Sequence, residues 1–592
     1  MDLVNVSTLK GGKNMLTIIS FLFCIILVAT VTYRKLKGQK NNSKDSYFLG
    51  GRSLTGGVIG ASLLLTNLSA SNFVGMSAQA YSSNMSVMGW EVGSGVTLVI
   101  VALFLLPRYL KQGVTTVPDF LEERFDSGVK KIVSILFLLG YVSNLLPITL
   151  YSGAIALAQI FNVQETFGIS YTASVWIMVW VIGIIGFIYA ILGGLKAVAV
   201  SDTLNGIGLA IGGLMVPIFG LIYFGHGSFS TGLSNILANN AEKFNAIGTS
   251  HDPIPFGTIF TGMILVNLYY WGTDQAIIQR ALAAKNLAEG QKGIIFAGLL
   301  KVLTPLVVII PGIIAFHIYG AGVKNPDLLY SRLVNDVLPK PLIGFFAAAM
   351  FGSVLSVFNG VLNSASTLFA LNVYSPVFGK GKSDKEIISK GKLFGLILAI
   401  ISMTIAPFIM YAPQGLFEYL QTVNGFFNVP IFTIVFIGYV TKKVPAIAAK
   451  ISIVLFVLTY GTLQLVIKPD IHYLYQLAIL FVVSCIIMLV IGKIRPRATE
   501  YTLKDNNVVD IKPWKYRYEA CGFVIFFMIS MYIVCSKLGF ANEGGISIRT
   551  LIPIALVAAI MYGLVKIIKA RSLGHRKDGY EELNYNNVKE GI

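Results

Sequence analysis

Charge is scarce in this 592-residue chain: Asp, Glu, Lys and Arg make up 12% of it, against roughly 25% in ordinary soluble domains. That scarcity cancels the reading its length would otherwise suggest, a string of about four soluble domains. Cysteine is rare as well. Cys24, Cys485, Cys521 and Cys535 fall in apolar runs and form no CxxC or CxxH pair, which excludes a disulfide scaffold and a zinc or thiol redox site and leaves them as packing residues. The five histidines are scattered without ligand spacing. No Walker loop, HExxH or nucleophile elbow occurs, so neither an ATP-driven pump nor any other enzyme is expected, and no cofactor. The glycine-rich stretch GIGLAIGG at 206–213 lies inside an apolar run with no strand before it and reads as tight helix packing.

What the chain has is apolar length: 55% hydrophobic residues and a mean hydropathy of +0.73. A helix that crosses a bilayer needs about 20 mostly apolar residues. Fifteen stretches qualify: 15–33, 55–81 with an interruption, 92–107, 131–160, 172–192, 198–224, 258–279, 293–318, 341–374, 393–411, 417–440, 444–467, 472–492, 518–536 and 548–568. The fold class is therefore all-α and integral to the membrane, one membrane domain over 1–592. The first run is followed by no small-residue cleavage signature and is expected to stay as a helix rather than be removed.

The net charge of +18 has a place in this plan. Most Lys and Arg fall in alternate loops, among them Arg34 to Lys44, Arg108 to Lys131, Lys380 to Lys392 and Lys493 to Arg517. By the positive-inside rule these loops are cytoplasmic, which predicts an outside N-terminus and a cytoplasmic tail over 569–592; the expected location is the cell's plasma membrane. Nucleic acid is not needed to explain the charge.

Two segments 200 residues apart resemble each other: LLLTNLSAS at 63–71 and MILVNLYYW at 263–271 share a Leu-x-Asn-Leu core. An odd number of spans separates them, so the copies would face opposite ways, as in the inverted repeats of secondary transporters. Chance similarity of apolar text is the other reading.

Polar residues inside the spans mark where chemistry can occur, because an unpaired polar group facing lipid costs several kcal/mol. Asn67, Ser69, Ser71 and Asn72 crowd one span. They predict either a broken helix with free carbonyls able to hold a cation, or a Ser-rich packing face. Asn267, Tyr269, Tyr270, Trp271, Thr273, Asp274 and Gln275 lie near the middle of another. Aromatic rings beside amides suit a sugar, although Tyr and Trp also build interfacial belts. Lys301 lies about 12 Å inside its span by helical rise. A charge there points to a cavity or partner, or to a long stem reaching the membrane edge. Glu91 and Gln421 are weaker candidates of the same kind. Ser353, Ser356, Asn359, Asn363, Ser364, Ser366 and Thr367 present oxygens suited to an alkali cation, or a close-packing face. Asp202 either attracts a departing cation or pairs with Arg280.

The segments YFLGGRSLTGGVIGASLLLTNLSASNFVGMS, TVPDFLEERF, NLYYWGTDQAIIQRALAAKNLAEGQKG and LNSASTLFALNVY resemble the solute:sodium symporter family, nearest to its sodium-sugar cotransporters. The resemblance runs from about Tyr47 to Ile491. It implies a LeuT-type core of two inverted five-helix repeats, here 55–224 and 258–440, with 15–33 as a leading helix and 444–568 as peripheral helices. It also implies sodium-coupled uptake of a sugar by alternating access. The sugar site would be Asn72, Glu91, Ser94, Asn267, Lys301 and Gln421. Tyr270 would be the inner gate on the sugar ring, and Met76, Trp90 and Phe417 the outer lid. Sodium would bind carbonyls of Leu65, Leu68 and Ser353 and the Ser356 hydroxyl, with Asp202 on its exit route. Asn72 stands where the branch often has Gln or His, and Val357 where a second sodium-binding Ser is common. These departures keep open a symporter of another small solute, such as a polyol, amino sugar or carboxylate, and a sensor or channel on the same core.

Overall fold

The computed structural model describes residues 3–36, 51–379, 381–411, 416–542 and 545–589. Within the basic loops, residues 37–44 and Lys380 lie outside the described residues, as do 590–592 of the tail. Among the described residues the chain is helical, and its β structure is an isolated parallel bridge between Leu54 and Ala284. Eleven unbroken helices are long and apolar enough to cross a bilayer. Three further spans are bent: Gly56–Asn67 with Asn72–Ser82 by 58°, Leu287–Leu303 with Pro305–Tyr319 by 42°, and Leu416–Asn424 with Asn428–Val440 by 40°. The remaining expected span, 258–279, is two shorter helices, Gly262–Gly272 and Gln275–Leu282, parted at Thr273 and Asp274.

Two of these breaks have a plain local cause. Pro305 cannot donate to the preceding turn and bends the 287–319 span. Asp274 caps the helix that follows it, its side chain accepting the Ala276 N–H, and so starts a new helix inside what reads as one apolar run. By contrast, 172–192 and 198–224 merge into one helix, Tyr171–Phe224, with candidate spans at Tyr171–Tyr189 and Ser201–Phe224. Residues 190–200 hold no proline and no Ser, Thr, Asn or Asp to cap a helix end.

Burial separates centre from periphery. Over an apolar 18-residue stretch of each, Lys340–Phe378 and Met85–Gln112 have 78% and 72% of positions buried inside the protein, whereas the corresponding stretch of Ile548–Arg571 has none. The helix Lys340–Leu368 packs against Tyr171–Phe224, the first helix and Gly56–Asn67. Two of the interrupted spans, 56–82 and 262–282, thus sit beside these buried helices, where neighbours can satisfy their loosened backbone.

A cavity between two broken helices

The first broken helix ends at Asn67, and Leu68 leaves helical geometry with ψ 81°. The Ser69 N–H turns to Asn67 O at 2.9 Å, and the Asn72 N–H to Ser69 O at 3.0 Å. Leu65 and Leu68 thereby lose the donors that a continuous helix would bring to their carbonyls. Side chains fill the gap: the Ser69 and Ser71 hydroxyls lie 2.6 Å apart, and Ser69 donates to Asn72 Oδ1 at 3.2 Å.

A charged bridge then ties the two halves together. Lys301 Nζ donates to Asn67 Oδ1 and pairs with Glu91 Oε2, while Asn72 Nδ2 donates to Glu91 Oε1 at 3.2 Å. The path from Asn67 through Lys301 and Glu91 to Asn72 spans the break. Lys301 is 1% exposed, so its stem does not reach the membrane edge. Burying two charges is costly, and their mutual pairing with extra hydrogen bonds offsets that cost.

Facing this bridge is the second broken helix. Asn267 Oδ1 accepts from Ser94 Oγ at 3.3 Å. Tyr270 lies edge-on to Trp271, with ring centroids 5.1 Å apart, and Lys301 Nζ sits 5.8 Å from the Trp271 ring centre. At the break, Asp274 accepts from the Tyr141 hydroxyl at 2.9 Å and the Tyr269 hydroxyl at 3.3 Å. Asn67 and Asn267, the shared residues of the two similar segments, meet at one cavity of about 100 Å³.

Asn72, Glu91, Ser94, Asn267, Tyr270 and Gln421 line that cavity together with Met76, Trp90 and Phe417. Lys301 does not; it stands behind Glu91. The Trp90 and Phe417 rings meet edge to face at 6.0 Å, and Phe417 packs against Gly75 so closely that a Cβ there would lie 2.7 Å from Phe417 Cβ. Sequence reasoning missed Asn424 and Asn428, which line the cavity from the third bent span. Asn144, which donates to Asn424 Oδ1 at 2.8 Å, was missed with them. Amides flanking Gly425 in an apolar stretch were the available signal.

None of the residues expected to hold sodium, Leu65, Leu68, Ser353 and Ser356, lines that cavity. Ser353 and Ser356 are buried on the Lys340–Leu368 helix, which contacts Gly56–Asn67. The Ser353 hydroxyl donates to Met350 O at 2.9 Å. Ser356 lies beside the Asp202 carboxylate, its hydroxyl without an aligned hydrogen bond. Asp202 accepts from Ser62 at 2.7 Å and pairs with Arg280 at 3.6 Å, both side chains fully buried. Val357, the next residue along, lines the cavity itself.

Comparison with known proteins agrees with this architecture. A model described as the sodium:solute symporter family matches residues 47–455. The chain is 48% identical over 549 residues to the uncharacterised symporter YidK of Escherichia coli strain K12, covering 93% of this chain and 95% of that protein. It is 30% identical to a sodium/glucose cotransporter of Vibrio parahaemolyticus, covering 76% and 85%. The substrate-bound outward-open structure of a sodium-coupled sialic acid symporter superposes with a TM-score of 0.68 at 20% identity, covering 82% of this chain and 98% of that one. Its LeuT-type fold is the fold of this chain.

Proposed function

Because the chain belongs to the sodium:solute symporter family and is a multi-pass, sodium-coupled transporter, we propose that its solute is a sugar or a related neutral polyhydroxylated compound, taken up by alternating access. The observation that carries this reading is the cavity wall. Amides of Asn72, Asn267 and Gln421, the Ser94 hydroxyl and the Glu91 carboxylate converge beside the Tyr270 ring, under Trp90 and Phe417. Hydroxyls of a sugar pair with amides and carboxylates while its apolar face stacks on an aromatic ring. The sodium/glucose cotransporters among the relatives support the same class.

Sodium binds at the carbonyls of Leu65, Leu68 and Ser353 and at Ser356, and stabilises the first broken helix. The sugar then enters between the two breaks, Met76, Trp90 and Phe417 close over it, and Tyr270 gives way inward. Asp202 draws the ion towards the exit. The repeats are 55–224 and 258–440, and the protein sits in the plasma membrane with its N-terminus outside. One sodium ion entering at about 100 mV gains ~2.3 kcal/mol, and a tenfold gradient adds ~1.4. Together these support roughly 500-fold accumulation.

Counterflow of a labelled sugar panel in proteoliposomes, with and without sodium, tests the reading. Sodium-dependent exchange of at least one neutral sugar is expected. Sodium-dependent exchange confined to a carboxylate or another unrelated solute would overturn the sugar assignment.

A further inference from the structure

The cavity is lopsided in charge. Its wall holds two carboxylates, Glu91 and Asp274, and no Lys, Arg or His. Glu91 is neutralised from behind by Lys301. Asp274 has no such partner: among the ion pairs of the described residues none includes it, and Arg280 on the following helix pairs with Asp202 and reaches Asp274 only through space, more weakly than that carboxyl's hydrogen bonds do. Neutral groups hold the Asp274 oxygens instead. Oδ1 accepts from the Tyr141 hydroxyl and from the Ala276 N–H at 2.8 Å, and Oδ2 accepts from the Tyr269 hydroxyl. Such donors satisfy a carboxylate's lone pairs without cancelling its charge, which only the more distant Arg280 offsets in part. On the same wall the Asn267 side chain, 5% exposed, has an Nδ2 group with no partner, a donor waiting for a ligand oxygen.

We propose that Asp274 sets the charge of the solute: the cavity accepts uncharged or ammonium-bearing polyhydroxylated solutes and turns away acid sugars. This rests on the cavity's being the solute site. An acid sugar entering here is dehydrated next to a surplus negative charge. At an effective dielectric of about 20 and a separation of about 8 Å, that repulsion weakens binding of a monoanion by about 30-fold.

The test uses the full-length protein in proteoliposomes and the labelled neutral hexose that it takes up best, challenged by that hexose, its amino sugar and its uronic acid. In the parent protein the uronic acid should inhibit about 30-fold more weakly than the hexose, and the amino sugar no more weakly. Asp274→Asn keeps an acceptor oxygen for Tyr141 and should narrow the uronic-acid gap to about threefold. Equal inhibition by hexose and uronic acid in the parent overturns the proposal, whatever the variant does. So does an unchanged gap in a folded, sodium-dependent Asp274→Asn protein. If that variant does not fold, the order of inhibition in the parent decides. Failure of every neutral hexose to be taken up removes the solute reading itself, a result distinct from hexose uptake without charge discrimination.

Discussion

Lys301→Met leaves the Glu91 carboxylate buried with its cation gone. Both side chains are at most 2% exposed, so neither water nor salt can take the missing partner's place. Breaking a buried pair from one side typically costs about 3–5 kcal/mol, whereas replacing both charges by groups of similar volume is close to neutral. The single variant should therefore be destabilised by that amount, and Glu91→Gln/Lys301→Met should recover most of it, with a coupling energy of about 2–3 kcal/mol. Gln at 91 still presents an oxygen to Asn72, but the charged side-chain path from Asn67 through residue 301 to Asn72 is gone, and only the contacts through Ser69 remain across the break. Solute uptake should stay lost in the double variant even as stability returns. Unfolding in mixed detergent and lipid gives the stabilities, and sodium-driven uptake in proteoliposomes gives the function. A single variant as stable as the parent, or a double variant carrying the full sum of both losses, would refute the argument that charge pairing holds this break.

Other substitutions probe other parts of the molecule. Val357→Ser adds an oxygen next to Ser356 and should lower the sodium concentration for half-maximal uptake severalfold; an unchanged sodium dependence would place residue 357 outside the ion site. Asp327, in the loop between spans, accepts the Leu416 N–H at 3.4 Å, and burial raises its carboxyl above the usual value of 3.8. The folded protein then binds this proton more tightly than the unfolded chain, so stability falls as pH rises from 3.8 through the raised value. Asp327→Asn should flatten that slope, and an identical pH profile of thermal midpoints would show that this carboxyl does not produce it. Gly312→Ala would place a Cβ 2.1 Å from Ser77 O, prising Ile310–Tyr319 from Ser77–Ser82. A loss of about 1–3 kcal/mol is expected, read as a lower thermal midpoint, and a midpoint equal to the parent's would contradict the close packing.

Membrane residence, helical class and the approximate spans were all legible in the sequence, because a bilayer demands a length and polarity that local text carries. So was the interruption at Asn67–Asn72, since amides and hydroxyls cannot face lipid there. The second break was hidden: Asp274 reads as one more polar residue in a crowded run, and the capping oxygen is also held by Tyr141, 133 positions earlier. Local text says that a buried charge such as Lys301 must have a partner, but not which one. Glu91 lies 210 residues away and looks like an ordinary helix-end acid. Only tertiary packing decides that pairing, brings Asn67 and Asn267 to one cavity and leaves Asp274 there without an ion pair among the described residues, because distances between remote helices are set by how whole faces interlock, not by any short stretch of chain.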